Sequence, residues 1–387
     1  MNGKKRLRPL FGLMIFLLLL AGCGEASSRP KPGFWEGQGQ KWIRSQDLSP
    51  QYPTTPVPTP TLAPETVTFR NPLNNSGPDP WMTYYEGHYY LAATTWGGAI
   101  AGLTMRKAAT IADLKETQPV SIWIDTTPTR CCNFWAPEFF LLDGPNGPRW
   151  YGYYTAGTLK CCDNQHMHVI ESVGADPLGP YTYKGQLSDS IGGWAIDASI
   201  LQLDGALYLL FSAWKGNNQN LYIAPMSDPW TISGDRVLLS TPTYTWEKQT
   251  GNVNEGAVAL QRDGKTFVIY SASACWGPDY KLGMLTYTGA DPLDPNAWTK
   301  SSEPVFQRDD ANGVFAPGHN TFFTSPDGTE DWIVYHANDS ISGGCDMNRT
   351  PRIQKFTWNS DGTPNFGVPV STGADLPVPA GEVPQLP

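Results

Sequence analysis

One layout recurs five times along this chain of 387 residues. A small-residue turn carries one ionisable side chain, an apolar run follows, then a turn, then a second apolar run. The segment AIDASILQLDGALYLLFSAW (195–214) has Asp197 in the ionisable place and Asp204-Gly205 at the turn. PDPWMTYYEGHYYLAAT carries Asp79, WAPEFFLLDGPNGPRWYGYYTA carries Glu138, VNEGAVALQRDGKTFVIYSA carries Glu255, and APGHNTFFTSPDGTEDWIVYHA carries His319. The steps between these positions are 59, 59, 58 and 64 residues. A unit near sixty residues with about four short strands matches one blade of a β-propeller, and a lone blade cannot bury both of its faces. The pattern therefore predicts an all-β, five-bladed β-propeller.

Radial stacking brings equivalent positions together around one axis. Asp79, Glu138, Asp197, Glu255 and His319 are expected to line a central funnel, where four carboxyls and an imidazole cost too much desolvation to be packing residues alone. The plainer alternative is that each acid caps a turn; five in phase weigh against it. With aromatics at 12% and 39 glycines and 35 prolines, turns and strands outweigh helices.

Residues 1–22 read as a signal peptide, with basic Lys4, Lys5, Arg6 and Arg8, no acid, and an apolar run at 10–21 too short to span a bilayer. The run ends in Leu20-Ala21-Gly22-Cys23, which resembles a bacterial lipobox, so Cys23 is the expected lipidated residue and export with a membrane anchor the expected location. Residues 23–65 read as a tether, because QYPTTPVPTPTLAP (51–64) alternates proline and threonine and stays extended. Trp35 and Trp42 lie in it without an assigned role. Residues 66–387 are then the propeller, closed by Val67–Phe69 with Asn365–Val370. Loss of the leader takes the formal charge from −9 to −13, which argues against nucleic acid and anionic membrane surfaces as partners and suits a neutral substrate. A monomer is expected.

Six further cysteines, an even number in an exported chain, favour disulfides. Cys131-Cys132 and Cys161-Cys162 invite pairing across the two dipeptides, since adjacent cysteines bond in a strained geometry. Cys275 and Cys345 complete the set, and a zinc site lacks its usual spacing.

The motifs Pro78-Asp79-Pro80-Trp81, Trp135-Ala136-Pro137-Glu138, Ile196-Asp197-Ala198-Ser199, Asn254-Glu255-Gly256 and Gly318-His319-Asn320 together resemble glycoside hydrolase family 43. His168-Val169-Ile170, Asp176-Pro177-Leu178-Gly179-Pro180-Tyr181 and Arg352-Ile353-Gln354-Lys355-Phe356 extend the resemblance over roughly 66–372. It implies a five-bladed propeller acting on arabinose- and xylose-containing polysaccharides. Asp79 matches the general base, Glu255 the general acid, and Asp197 the carboxyl that tunes and orients the donor. Inverting hydrolysis needs a carboxylate to activate water and a carboxylic acid to protonate the leaving oxygen, about 6.5–9.5 Å apart. A neighbouring carboxylate keeps the donor protonated by like-charge repulsion.

The resemblance also implies His319 beneath the sugar, holding a calcium ion at the axis through water, with no cofactor required for the chemistry. A buried, hydrogen-bonded histidine is the competing reading. Glu138 is assigned to supporting the substrate site, and Arg352 to a bidentate contact with substrate or base. Trp96 and Trp135 are the stacking platforms expected among Trp81, Trp96, Trp135, Trp194 and Trp276. His88, His166 and His168 read as structural.

The expected function is an inverting hydrolase releasing α-L-arabinofuranosyl residues from arabinan or arabinoxylan, its partner being that polysaccharide or an oligosaccharide from it. Endo-arabinanase, β-xylosidase and a non-catalytic sugar-binding propeller are the alternatives. A fructan-cleaving propeller lacks its Asn-Asp-Pro-Asn start and retains configuration.

Overall fold

The computed structural model describes residues 67–96 and 102–383; the leader, Cys23, both tether tryptophans and the proline–threonine stretch lie outside them. Among the described residues no helix is long and apolar enough to cross a membrane.

Five antiparallel sheets follow one another along the chain, each built from consecutive strands. Their first strands are Trp81–Tyr85, Cys132–Gly144, Ile196–Leu203, Asn254–Arg262 and Phe315–Thr324, in blades one to five. Blades one, two, four and five have four strands. Blade three has five, because Thr231–Ile232 and Val237–Ser240 both pair with Asn218–Asp228. Each first strand touches the first strand of the next blade, and blade five touches blade one, so the ring is closed.

The local chemistry explains the hairpins. Glu86-Gly87, Asp204-Gly205 and Asp263-Gly264 have positive φ at both residues. That is the two-residue turn whose twist matches antiparallel strands, and it favours asparagine or aspartate followed by glycine, as in the second and third of these. The core is divided into five apolar clusters, and each lies between two adjacent blades. Tyr153 and Met167 of blade two pack with Leu209 and Phe211 of blade three; Tyr89 and Leu91 of blade one pack with Val334 and Ile353 of blade five. Each such buried side chain contributes about 1.5–3 kcal/mol, and the contribution exists only when the neighbouring blade is present.

Closure differs from the sequence expectation. Thr68–Phe69 pairs with Leu376–Pro377, whereas Pro364–Asn365 forms the outer strand of blade five. The segment leading into blade one also runs along blade five. Leu73 N–H donates to the Pro351 carbonyl, Gly77 N–H to the Arg349 carbonyl, and the Asn71 amide exchanges two hydrogen bonds with Ile353. The residues at 365–370 follow a strand already paired with blade five, so they are not free to receive the N-terminal strand.

Candidate active site

The axis is built by a repeated irregularity. Ladder register shifts in the first strands of blades two to five, at 135–138, 196–199, 255–258 and 318–321. Left-handed backbone occurs there or beside it, at Ala136, Asp197, Gly256 and His319, and at Asp79 just before the first strand of blade one. A bulge re-aims side chains and leaves backbone groups without ladder partners.

Those groups are claimed by the preceding blade, from the end of its second strand. The Thr94 hydroxyl accepts the Ala136 N–H (2.9 Å), Thr155 accepts that of Asp197 (3.3 Å), and Ser271 accepts that of His319 (2.8 Å). Ser212 donates to the Asn254 carbonyl (2.8 Å). His336 Nδ1 accepts the Asp79 N–H (3.0 Å), which joins blade five to blade one. The polar residue near or just past the end of each second strand is thus an inter-blade clamp.

Asp79 sits at the most polar point. One oxygen accepts Arg349 Nη1 (2.7 Å) and the other accepts the Thr94 hydroxyl (2.6 Å). Burial alone raises its pKa, but Arg349, His319 and His336 outweigh it and hold the carboxyl well below its ordinary range. His336 is itself pushed down to about 3 by burial and by Arg349. Its Nδ1 already accepts a proton from the Asp79 backbone, so the ring is neutral and Arg349 supplies most of the compensation. Asp79 is a permanent carboxylate at any neutral or mildly acidic pH.

The other two acids lean the opposite way. Burial, then the charges of Glu255 and Asp79, raise Asp197 well above its usual value, against one hydrogen bond from Gly256 N–H (3.0 Å). Burial raises Glu255 too, with the Asp79 charge adding to it, while hydrogen bonds from Tyr280 Oη (2.9 Å) and Gln219 Nε2 (2.7 Å) counter part of the shift. The two carboxyls titrate as a pair, and the pair holds a proton above the usual carboxylate range. One carboxylate and one proton-holding pair facing a common space is the division of labour that acid–base hydrolysis requires.

That space is a cavity of about 640 Å³ lined by Asp79, Asp197, Glu255, His319, Arg349 and Gln219, among others. Trp96 and Trp135, the expected platforms, both line it, as do Trp194, Trp214 and Trp276. Trp214 and Trp276 present 44% and 56% of their surface to solvent, so two further tryptophans offer faces at the rim. Trp81 is buried between blades one and two against Phe139 and Trp150. His168 is buried on the Tyr183 hydroxyl and lowered to about 4, a packing histidine as expected. His88 bonds the Glu86 carbonyl and His166 the Gly193 carbonyl.

Three assignments are corrected. Glu138 does not line the cavity; it is buried, and burial followed by the Asp197 charge raises its pKa well above normal. In blade two the left-handed residue held by the preceding clamp is Ala136, so Trp135 takes the cavity position and Glu138 falls two residues further along the strand. Arg352 does not reach Asp79. Its Nη2 donates to Asp339 (2.8 Å) and its Nε to Thr350 (3.2 Å); Arg349, in the connection just before that strand, is the arginine that reaches Asp79. The cysteine dipeptides do not cross-pair. Cys131 bonds Cys132, Cys161 bonds Cys162, and Cys275 bonds Cys345. Cys132 stands opposite Gly157 in the blade-two ladder, while Cys161 and Cys162 lie beyond it in the loop, where Trp194 Nε1 donates to the Cys162 carbonyl (2.9 Å).

Calcium takes six to eight oxygen ligands. Among the described residues no group of three or more His, Cys, Asp or Glu is disposed to hold a metal ion. His319 packs flat on Gly256, where an added Cβ would meet Nδ1 at 3.1 Å, and that nitrogen is 3.5 Å from an Asp79 oxygen already bound by Arg349. These side chains do not form a protein cage for calcium.

Arg349, His336, Tyr280 and Gln219 complete the site and were not singled out in the sequence. The one signal for His336 was its place in Tyr335-His336-Ala337, where the other blades have serine or threonine.

Comparison with known proteins gives a consistent result. The description "Glycosyl hydrolases family 43" matches residues 69–364. An extracellular exo-α-(1→5)-L-arabinofuranosidase of Streptomyces avermitilis is 40% identical over 333 residues, covering 82% of this chain and 67% of that protein. A protein of the same description from Streptomyces chartreusis is 34% identical over 282 residues, covering 71% of this chain and 84% of its own. The crystal structure of an α-L-arabinofuranosidase from Lactobacillus brevis is similar at a TM-score of 0.72 and 35% identity, over 79% of this chain and 98% of that one.

Proposed function

The chain belongs to glycosyl hydrolase family 43, and from that premise we propose that it releases terminal α-L-arabinofuranosyl residues from arabinan or arabinoxylan with inversion of configuration. The observation that carries this reading is the convergence of three acids on one cavity, with Asp79 bound by Arg349 and Thr94, Glu255 by Tyr280 and Gln219, and Asp197 beside them. The arabinofuranosidase descriptions of the relatives support the choice of sugar.

Asp79 takes a proton from the water that attacks the anomeric carbon. Glu255 delivers its proton to the glycosidic oxygen as that bond breaks, leaving free arabinose and a shortened chain. Asp79 ends protonated and Glu255 ionised, and exchange with solvent resets both. Tyr280 and Gln219 stabilise the Glu255 carboxylate as it forms, and Asp197 keeps the donor protonated until then. Thr94 and Arg349 fix the oxygens of Asp79, so the water meets a base that does not turn. These steps run on side chains alone. The reading extends to the N-terminal segment: residues 1–22 direct export and Cys23 carries the lipid anchor, as the basic, apolar and Leu-Ala-Gly-Cys sequence supports.

Release of arabinose from a chromogenic arabinofuranoside, with NMR of the first-formed anomer, tests the reading. Wild type is expected to release the inverted anomer, and Glu255→Gln to lose about 10²–10⁴-fold in kcat. Retained configuration, or equal rates, overturns it.

A further inference from the structure

We propose that the Cys275–Cys345 disulfide is a positioning clasp for the acid and the base, joining the two loops that hold their partners; this rests on the reading of Asp79 and Glu255 given above. Cys275 lies in the connection between the second and third strands of blade four, Cys345 in the equivalent connection of blade five. Both line the cavity. Five residues after Cys275 comes Tyr280, whose hydroxyl donates to Glu255 (2.9 Å). Four residues after Cys345 comes Arg349, whose guanidinium donates to Asp79 (2.7 Å). One covalent bridge therefore spans the blade boundary between the residue that steadies the acid and the residue that charges the base.

The surroundings need such a bridge. Ser273 and Ala274 both have left-handed backbone, φ 77° and 59°, a conformation that costs free energy and persists only where neighbours enforce it. Within the blade-five loop the Asn338 amide donates to the Gly344 carbonyl (2.9 Å) and Arg349 Nε to the Asp346 carbonyl (3.1 Å), and its Arg349 end accepts the Gly77 N–H (3.0 Å). Across the boundary, Ala316 N–H donates to the Pro278 carbonyl (3.0 Å), and the Tyr280 ring stacks on His336 with centroids 5.6 Å apart and planes 3° apart. His336 in turn accepts the Asp79 N–H. Tyr280, His336, Arg349 and Asp79 thus form one contiguous unit, and the disulfide ties together the two loops that enter it. A displacement of about 1 Å at such a point can cost 10²-fold in rate.

The test is Cys275→Ser/Cys345→Ser in the full chain, with steady-state kinetics across pH on a chromogenic arabinofuranoside. The expected result is a 10- to 100-fold fall in kcat, KM within about threefold, and the acid limb of the profile moved to higher pH as Arg349 loosens from Asp79. A bridge that only stabilises the fold would lower Tm and leave the profile of the folded enzyme unmoved; that result overturns the proposal, as does an unchanged kcat. Cys131→Ser/Cys132→Ser, whose sulfurs do not line the cavity, is expected to leave the profile as in wild type. Should the 275/345 variant not fold, native-state reduction of a chain with the four dipeptide cysteines changed to serine gives the same reading, before and after reduction. If Asp79→Asn and Glu255→Gln both keep activity, the acid–base reading fails; if they abolish it and the clasp variants leave the profile unmoved, only the clasp fails.

Discussion

Replacing Arg349 by methionine isolates the charge that keeps Asp79 ionised. The pair is buried, with Nη1 2.7 Å from the carboxylate and both side chains at most a tenth exposed. Removing one partner of a buried pair costs about 3–5 kcal/mol while the other stays charged, and loss of an opposite charge at this range moves a carboxyl upward by about 1–3 pH units. The sign follows from the two states. In wild type Asp79 is depressed by folding, so its contribution to stability is present above the ordinary carboxylate pKa and is lost as pH falls through the folded value. In Arg349→Met burial is less opposed, the pKa rises, and that contribution shrinks. The stability gap between wild type and variant therefore widens from pH 4 to pH 8 in denaturant unfolding. The acid limb of kcat/KM moves to higher pH by the same about 1–3 units, so activity near pH 5 falls more than activity near pH 8. Arg349→Lys keeps the charge without the fixed fork and restores the position of the limb more than the rate. A uniform loss at all pH values, with the limb unmoved in Arg349→Met, would refute the electrostatic reasoning and leave Arg349 as a packing residue.

Asp197→Asn removes a negative charge beside Glu255, so the basic limb is expected to move to lower pH, and a pH–rate profile on the chromogenic substrate reads it directly. Glu138→Gln removes a buried acid whose folded pKa is raised, an acid whose contribution to stability is lost as pH rises; Tm is expected to exceed wild type by a few degrees at pH 8 and to match it at pH 4, with little change in kcat. Trp214→Ala truncates an exposed ring at the cavity rim and is expected to raise KM severalfold for arabino-oligosaccharides while leaving the aryl arabinofuranoside unaffected; equal effects on both would place Trp214 outside the path of the chain.

The fold and three of the acids were legible because both rest on phase. Asp79, Asp197 and Glu255 stand at or just before the first strands of their blades, each beside a contact from the preceding blade, so equal spacing in sequence became proximity in space. Glu138 shows the limit. In blade two the left-handed, clamped residue is Ala136, and this two-residue offset moved a correctly counted acid off the cavity wall. Arg349 was illegible for another reason: it lies in an irregular connection just before a strand, where neither alternation nor repeat length says which of two nearby arginines faces the axis. The disulfides were misread on local strain, a consideration that did not anticipate bonds within each dipeptide. The core itself needed no special signal, since apolar runs at each repeat already imply five interfaces.

The clamp that joins the last blade to the first sets an order of events in time. Asp79 is translated early, while His336 and Arg349, which grip its backbone and its carboxylate, follow 257 and 270 residues later. Until that final fifth of the polypeptide has emerged, the base has no counter-ion and the ring has no mouth. A chain interrupted before that point therefore yields no partial enzyme, and hydrolysis begins only once the two ends of the ring have met.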